Sequence, residues 1–162
     1  MPKLHLGVVD IPYDYKGEEG KTTGDVAEIL EAKYGIMEFF VQKYEQDIAD
    51  DLAKAAQGAL ENLMMGAPVT DRAFAAAEDA ISERFRGFLD NREMDGQVPG
   101  VATEAAKRGV NHRLRHPYAK RQSRPSFIDT GLYQASMRTW VEIPPSDALT
   151  RKWTEAIREK MK

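Results

Sequence analysis

Apolar residues return every three or four positions over most of the first ninety residues of this chain. From Ile36 to about Met65, Met37, Phe40, Tyr44, Ile48, Leu52, Ala55, Ala59 and Leu63 mark one stripe, widened by Phe39, Ala56 and Leu60. That spacing predicts one long helix with a continuous apolar face. Glu45, Asp47, Asp50, Asp51 and Glu61 make its other face acidic. A shorter helix precedes it, started by Thr22 or Thr23 with Asp25 near its positive end, carrying Val26, Ala27, Ile29 and Leu30, and stopped by Gly35. Gly66-Ala67-Pro68 ends the long helix. Thr70 then caps a third, striped by Phe74, Ala77, Ile81, Phe85, Phe88 and Leu89.

The second half is more broken. Asp95 to Gly100 is a loop by its turn residues. Thr103 to Arg108 is expected to make two helical turns closed by Gly109, and Ser146 caps a last helix in which Leu149, Trp153, Ile157 and Met161 repeat every four residues. Strand patterns cover residues 4–10, 110–116 and 138–143. Few strands among many helices predict an α+β fold. A helical N-terminal half, with its long amphipathic helix, packs on a small antiparallel sheet, and a C-terminal helix follows. The expected layout is one domain over 1–162: core helices at 23–90, a basic arm at 109–127, a short helix plus strand at 129–143, and the C-terminal helix at 146–161. A doubly wound nucleotide fold would alternate strands and helices throughout.

The run from Pro125 to Ile143 organises the rest. Asp129 or Thr130 caps a short helix through its side-chain oxygen. Leu132, Ala135, Ser136 and Thr139 then share a face, and Trp140, Val141 and Ile143 have strand character up to Pro144-Pro145. The phrase Ile128-Asp129-Thr130-Gly131-Leu132-x-x-Ala135-Ser136, with a basic, Pro-containing arm before it and a strand after it, resembles the tail-completion and virion-morphogenesis proteins of tailed bacteriophages. In that family an Asp-Thr-Gly-x-Leu-x-x-Ser phrase follows a helical N-terminal half; here Leu132 directly follows Gly131, one residue tighter. The likeness covers the last third, and the helical half only in kind.

The resemblance implies a structural, non-enzymatic protein without a cofactor. It implies a homo-oligomeric ring of six copies, or a multiple of six, at the head-tail junction, with the head-tail connector and the tail tube or terminator as partners and packaged DNA passing nearby. The location implied is the virion neck, after assembly in the host cytoplasm.

Composition and charge sharpen this picture. At 162 residues, 42% hydrophobic and 30% charged, the chain is long enough for a core of its own and ordinary for a soluble protein. With no cysteine, disulfides, thiolate zinc sites and thiol nucleophiles are excluded. No signal peptide or membrane span is expected. The net charge of −3 is divided: residues 1–100 hold 10 Lys/Arg against 20 Asp/Glu, and residues 101–162 hold 13 against 6, or −10 and +7. Such asymmetry points to a charged partner or to another copy of the same chain, the alternative being acidic helices beside a basic arm within one monomer.

Candidate chemistry is sparse. Gly20-Lys21-Thr22 ends like a phosphate-binding loop, but Tyr15 stands where the first glycine belongs, and Glu18 and Glu19 would face the phosphates. His112 and His116 have a metal-ligand spacing, without a His-Glu-x-x-His pattern. The pairs Glu18-Glu19, Asp50-Asp51 and Glu78-Asp79 diverge on a helix and read as solvated faces. Ser126 and Ser136 lack a Gly-x-Ser-x-Gly setting.

The basic arm is the strongest feature outside the core. Arg113, Arg115, Lys120, Arg121 and Arg124, with Tyr118 between them and no acid nearby, suit a neighbouring subunit, a partner protein or a DNA backbone, the plain alternative being a solvated loop. Asp129, Thr130, Gly131, Leu132 and Ser136 carry the family phrase. The expected function is thus a neck subunit. The alternatives are a small nucleotide-binding protein using Gly20-Lys21-Thr22, or a DNA-binding module using the arm.

Overall fold

The computed structural model describes residues 3–13, 20–67, 72–111, 115–119, 121–128 and 131–143. Along these the elements are β1 (Lys3–Val8), α1 (Thr23–Tyr34), α2 (Ile36–Met64), α3 (Ala75–Asp90), α4 (Glu104–Lys107), α5 (Leu132–Ser136) and β2 (Met137–Glu142). Helices dominate and the sheet is one antiparallel pair, so the architecture is the expected α+β. Among the described residues no helix is long and apolar enough to cross a membrane.

Local chemistry sets the helix ends. Thr22 caps α1, its Oγ1 accepting from the Asp25 amide at 3.2 Å while the Asp25 carboxylate accepts from the Thr22 amide at 2.9 Å. This reciprocal box satisfies donors that the first turn cannot. Gly35 then stops α1 in left-handed backbone, φ 57°. The Glu31 carboxylate takes up the amides of Met37 (2.7 Å) and Glu38 (3.1 Å), so α2 starts one residue after α1 stops. The α2 backbone kinks at Tyr44, φ −111° and ψ 18°.

The core forms where α2 crosses α3. Phe40 meets Phe85 edge-on at 5.1 Å between ring centroids and Phe88 at 5.5 Å, and all three rings are sealed from solvent. Ile36, Ile48, Ile81 and Leu89 extend the cluster, with Met94 and Val101 from the loop after α3. Tyr133 of α5 and Met137 of β2 close it.

The sheet joins residues about 130 positions apart, with Lys3 opposite Glu142 and Val8 opposite Met137. Met137 and Thr139 are buried while Arg138, Trp140 and Glu142 are exposed, the alternation that a half-buried strand requires. Leu4, Leu6 and Val8, opposite Val141, Thr139 and Met137, share the inner face and pack on the core. Two side chains of α3 hold β2: the Glu78 carboxylate accepts from the Val141 amide at 2.8 Å, and the Ser82 hydroxyl donates to the Thr139 hydroxyl at 3.1 Å.

Several expectations are corrected. Glu78 is no solvated acid, because it caps the free edge of β2. The residues expected as a strand at 110–116 form no strand where they are described, and α4 makes one turn rather than two. Phe74 precedes α3 instead of lying in it, and no side chain caps that helix; Thr70 lies outside the described residues. Thr139 sits on β2, since α5 ends at Ser136. Ile29 and Leu63 of the predicted stripes are exposed, because α1 and the far end of α2 turn these positions away from the core. The expected C-terminal helix at 146–161 lies outside the described residues.

Phe40→Ala is expected to cost about 3–5 kcal/mol, measured by urea unfolding, because it empties the centre of the core. Ile29→Ala, on a stripe of similar appearance, is expected to change stability by no more than about 0.5 kcal/mol.

Candidate functional site

Three regions hold the residues that the sequence singles out: the run from Gly131 to Ile143, the basic arm, and the region around Gly20-Lys21-Thr22. In the phrase, Gly131 stands at the start of α5 with φ 76°, a left-handed conformation that glycine adopts without strain. Its carbonyl accepts from the Ala135 amide at 2.9 Å. Tyr133 points inward and packs on Phe85, and Gln134 donates to the Arg86 carbonyl of α3 at 3.0 Å. The buried Ser136 hydroxyl donates back to the Tyr133 carbonyl at 2.9 Å, and the Ser136 carbonyl accepts from Val9 at 2.8 Å. Leu132 is half-buried beside them. The phrase therefore splices α5 and β2 onto the core. Asp129 and Thr130 lie outside the described residues, as do Arg113 and Lys120 of the arm and His112.

The arm crosses itself at its root. Gly109 has φ 65°, and a Cβ there would run into the Gln122 carbonyl oxygen, so both its backbone and its lack of a side chain are needed. Arg124 binds both limbs. Its Nε donates to the Val110 carbonyl at 2.6 Å, its Nη1 to the Ile128 carbonyl at 2.7 Å, and its amide to the Ala106 carbonyl at 3.0 Å. Arg92, in left-handed backbone just after α3, donates to the Ser123 carbonyl at 2.8 Å and hydroxyl at 3.2 Å. Farther out, Arg121 donates to the His116 carbonyl at 3.0 Å, and the Asn111 amide to the Pro117 carbonyl at 3.1 Å. Arg115, His116 and Tyr118 occupy the exposed part, Tyr118 at 72% exposure.

Two of the expected interface residues thus have a different use. Arg121 and Arg124 spend their guanidinium groups on the arm's own carbonyls. Folded-back backbone leaves carbonyls that need donors, and guanidinium offers five in a fixed fork. Arg115 and Tyr118 keep the outward position expected of them. Arg92 has a part that sequence reasoning missed; only its place after the amphipathic run of α3 could have hinted at a role beyond that helix.

At the start of α1 the chain supplies its own anions. The Asp10 carboxylate accepts from the Gly24 amide at 2.9 Å, and Asp25 accepts from Thr22. A Cβ at Gly24 would lie 2.8 Å from the Asp10 oxygen, so the contact is close. Hydrogen bonds from Thr22 and Gly24 hold the Asp10 carboxyl below the usual aspartate range. A phosphate at this helix end would have to displace two carboxylates. Among the described residues no group of three His, Asp or Glu side chains is arranged to hold a metal ion.

Two polar clusters had no clear signal in the sequence. At the kink of α2, the Tyr44 hydroxyl donates to Glu93 at 2.6 Å, Lys43 reaches the same carboxylate at 2.7 Å, and Arg84 pairs with Asp51 at 2.7 Å. Burial and the Glu93 hydrogen bond push the Tyr44 hydroxyl up to about 12. Burial alone would raise Glu93, but the hydrogen bonds from Lys43 and Tyr44 outweigh it and leave its carboxyl lowered. On the outer face of the sheet, Trp140 stacks on His5, 5.2 Å between ring centroids and 8° between planes, and lies over Gly7. Glu142 is 3.0 Å from the same histidine.

Set against protein-family models, curated proteins and solved structures, the chain matches none of them.

Arg124→Gln is expected to lower stability by about 1–3 kcal/mol through unpaired carbonyls. It should also speed amide hydrogen exchange at Asn111 and Ala119, whereas Arg115→Gln should do neither. For Tyr44 the folded state holds the phenolic proton more tightly than the unfolded chain. Its contribution is therefore complete below pH 10 and lost as pH rises from 10 through about 12. In alkaline unfolding, Tyr44→Phe is expected to shallow the loss of stability across that window. A residual slope should remain from Tyr133, which burial also raises.

Proposed function

We propose that this protein is a structural subunit of a tailed-phage neck, a ring component that joins the head connector to the tail around the DNA channel. The observation that carries this reading is a basic arm held in shape at its root on an otherwise acidic helical body. Arg124, Arg92 and Gly109 tie the arm to the body, and Arg115 and Tyr118 remain at its surface. The segregation of −10 in residues 1–100 from +7 in residues 101–162 gives such a body two unlike surfaces. A ring built by head-to-tail contacts sets one surface of each copy against a different surface of the next. The basic arm of one subunit then meets the acidic side of α2 on its neighbour, where Asp47 and Asp50 are exposed three residues apart.

The family phrase supports the same reading from the inside. Its residues are spent on holding α5 and β2 to α3: Tyr133 and Ser136 are buried and Gln134 is bonded to α3. That is the use expected of residues that keep a ring subunit rigid. A pre-shaped arm also lowers the entropy lost when it is ordered on a partner. A head-to-tail ring of six, or of a multiple of six, is the copy number that accompanies this reading. The chain's partners would then be its own neighbours, the connector and the tail, with DNA inside the ring.

The test is immunogold electron microscopy of phage particles containing this protein. Label at the head-tail junction is the expected outcome; label along the tail or at its tip, or none, would overturn it. Within that reading, Arg113→Gln combined with Arg115→Gln should leave the melting temperature of the purified protein unchanged and reduce joined head-tail particles at least about tenfold, which corresponds to about 1.4 kcal/mol lost from assembly.

A further inference from the structure

The loop after α3 and the end of the basic arm meet around a small pocket with apolar walls from Phe88, Leu89 and Phe127. Four of its lining residues are polar. Two of them, Arg92 and Glu93, have their charged groups already engaged, Arg92 with Ser123 and Glu93 with Tyr44 and Lys43. The other two, Asp95 and Ser126, are not used up in this way. Oδ1 of Asp95 is sealed from solvent and accepts no hydrogen bond. Ser126 is 4% exposed, and its Oγ accepts from the Thr103 amide at 3.2 Å. That hydroxyl donates to nothing among the described residues, so its own proton is spare.

An acceptor without a donor and a hydroxyl with a spare proton, on two limbs of one pocket, suit a single small molecule that both accepts and donates. A buried oxygen taken out of water without a donor costs stability, which is why such atoms are nearly always paired. The pocket's volume is about 10 Å³, and one water molecule needs roughly 10–15 Å³ for itself. We propose that the pocket binds one water molecule, which accepts from the Ser126 hydroxyl and donates to Oδ1 of Asp95. A cation is a poorer match, because it can use only acceptors, whereas Ser126 has a donor to offer. Hard cations also take several oxygen ligands, and no group of three His, Asp or Glu side chains gathers here among the described residues.

The water completes a chain of hydrogen bonds from the Thr103 amide through Ser126 to Asp95. Thr103 caps α4, its own hydroxyl accepting from the Ala106 amide at 3.2 Å. Asp95 lies in the turn after α3, its amide donating to the Arg92 carbonyl at 2.9 Å. Two residues lining the pocket, Arg92 at φ 57° and Phe127 at φ 67°, hold left-handed backbone, which residues with a side chain keep only where the surroundings fix them. A molecule bridging the two limbs steadies both. Ser126 and Asp95 are therefore positioning residues for the root of the arm. The site belongs to the single chain and stands independently of the neck reading.

The direct test is a crystal structure of the full chain, sharp enough to show ordered water. Density about 2.5–3.2 Å from both Ser126 Oγ and Asp95 Oδ1 is expected. A dry pocket, or a protein donor bonded directly to Oδ1, would overturn the proposal. In solution, Asp95→Ala, Ser126→Ala and the double variant are compared by urea unfolding. Ser126→Ala also deprives the Thr103 amide of its acceptor, so the coupling between the two substitutions is the quantity that matters. A shared water makes their effects non-additive. The unfolding constant of the double variant should be at least about threefold smaller than the two single changes multiplied together give; weaker coupling would count against the bridge. Melting temperatures in sodium, ammonium and tetramethylammonium chloride at equal concentration should agree. A rise with sodium or ammonium alone would replace the water by a small cation.

Discussion

Burial of Phe40 between Phe85 and Phe88 is the constraint on which the other elements depend. It fixes the crossing of α2 and α3, and those two helices present the surfaces that everything else uses. Tyr133 packs on the same Phe85 ring, which brings α5 to the core, and α5 delivers Met137 and the start of β2. A two-stranded sheet is marginal by itself in water. Here it persists because α3 covers its inner face and contributes Glu78 and Ser82 to β2. The β1 strand, from the other end of the chain, then finds its partner already in place.

The same economy of polar groups shapes the periphery. At several reversals among the described residues, a charged side chain satisfies backbone groups that secondary structure leaves open: Glu31 at the start of α2, Asp10 and Asp25 at the start of α1, Arg124 and Arg92 at the root of the arm. Each such bond holds a loop that has little apolar surface to bury. This explains why a basic, aperiodic segment such as 115–128 takes up a defined course where it is described. It also separates arginines that shape the arm from those that an interacting surface can use. The proposed neck role rests on the second group, with Arg115 among them, and on the acidic face of α2.

How far the sequence was legible varied with the range of the interaction involved. The helices α1, α2 and α3 and the stop at Gly35 were readable because their signals are local: a three-to-four-residue period, a Thr-x-x-Asp box, a glycine that tolerates left-handed backbone. The two strands were readable from alternation, within about two residues at their ends. The Leu63 stripe looked like core but is not, because periodicity reports that a face is apolar and not what covers it. Glu78, Arg121 and Arg124 were read as surface charges, because a side chain bonded to a distant carbonyl or amide has the same local sequence context as one in water.

What the sequence determined by itself was therefore the helices α1 to α3 and the two paired strands in their order, the charge division between the two halves, and the lack of any thiol chemistry. These follow from composition and from contacts within a few residues. Only the tertiary structure decided that β1 pairs with β2 from across the chain, that α2 outruns its core and leaves Leu63 exposed, and which arginines hold the arm together. Those outcomes depend on which surfaces meet after the chain collapses, and pairs such as Glu78 with Val141 or Arg124 with Val110 and Ile128 exist only once Phe40, Phe85 and Phe88 have set the helices against each other.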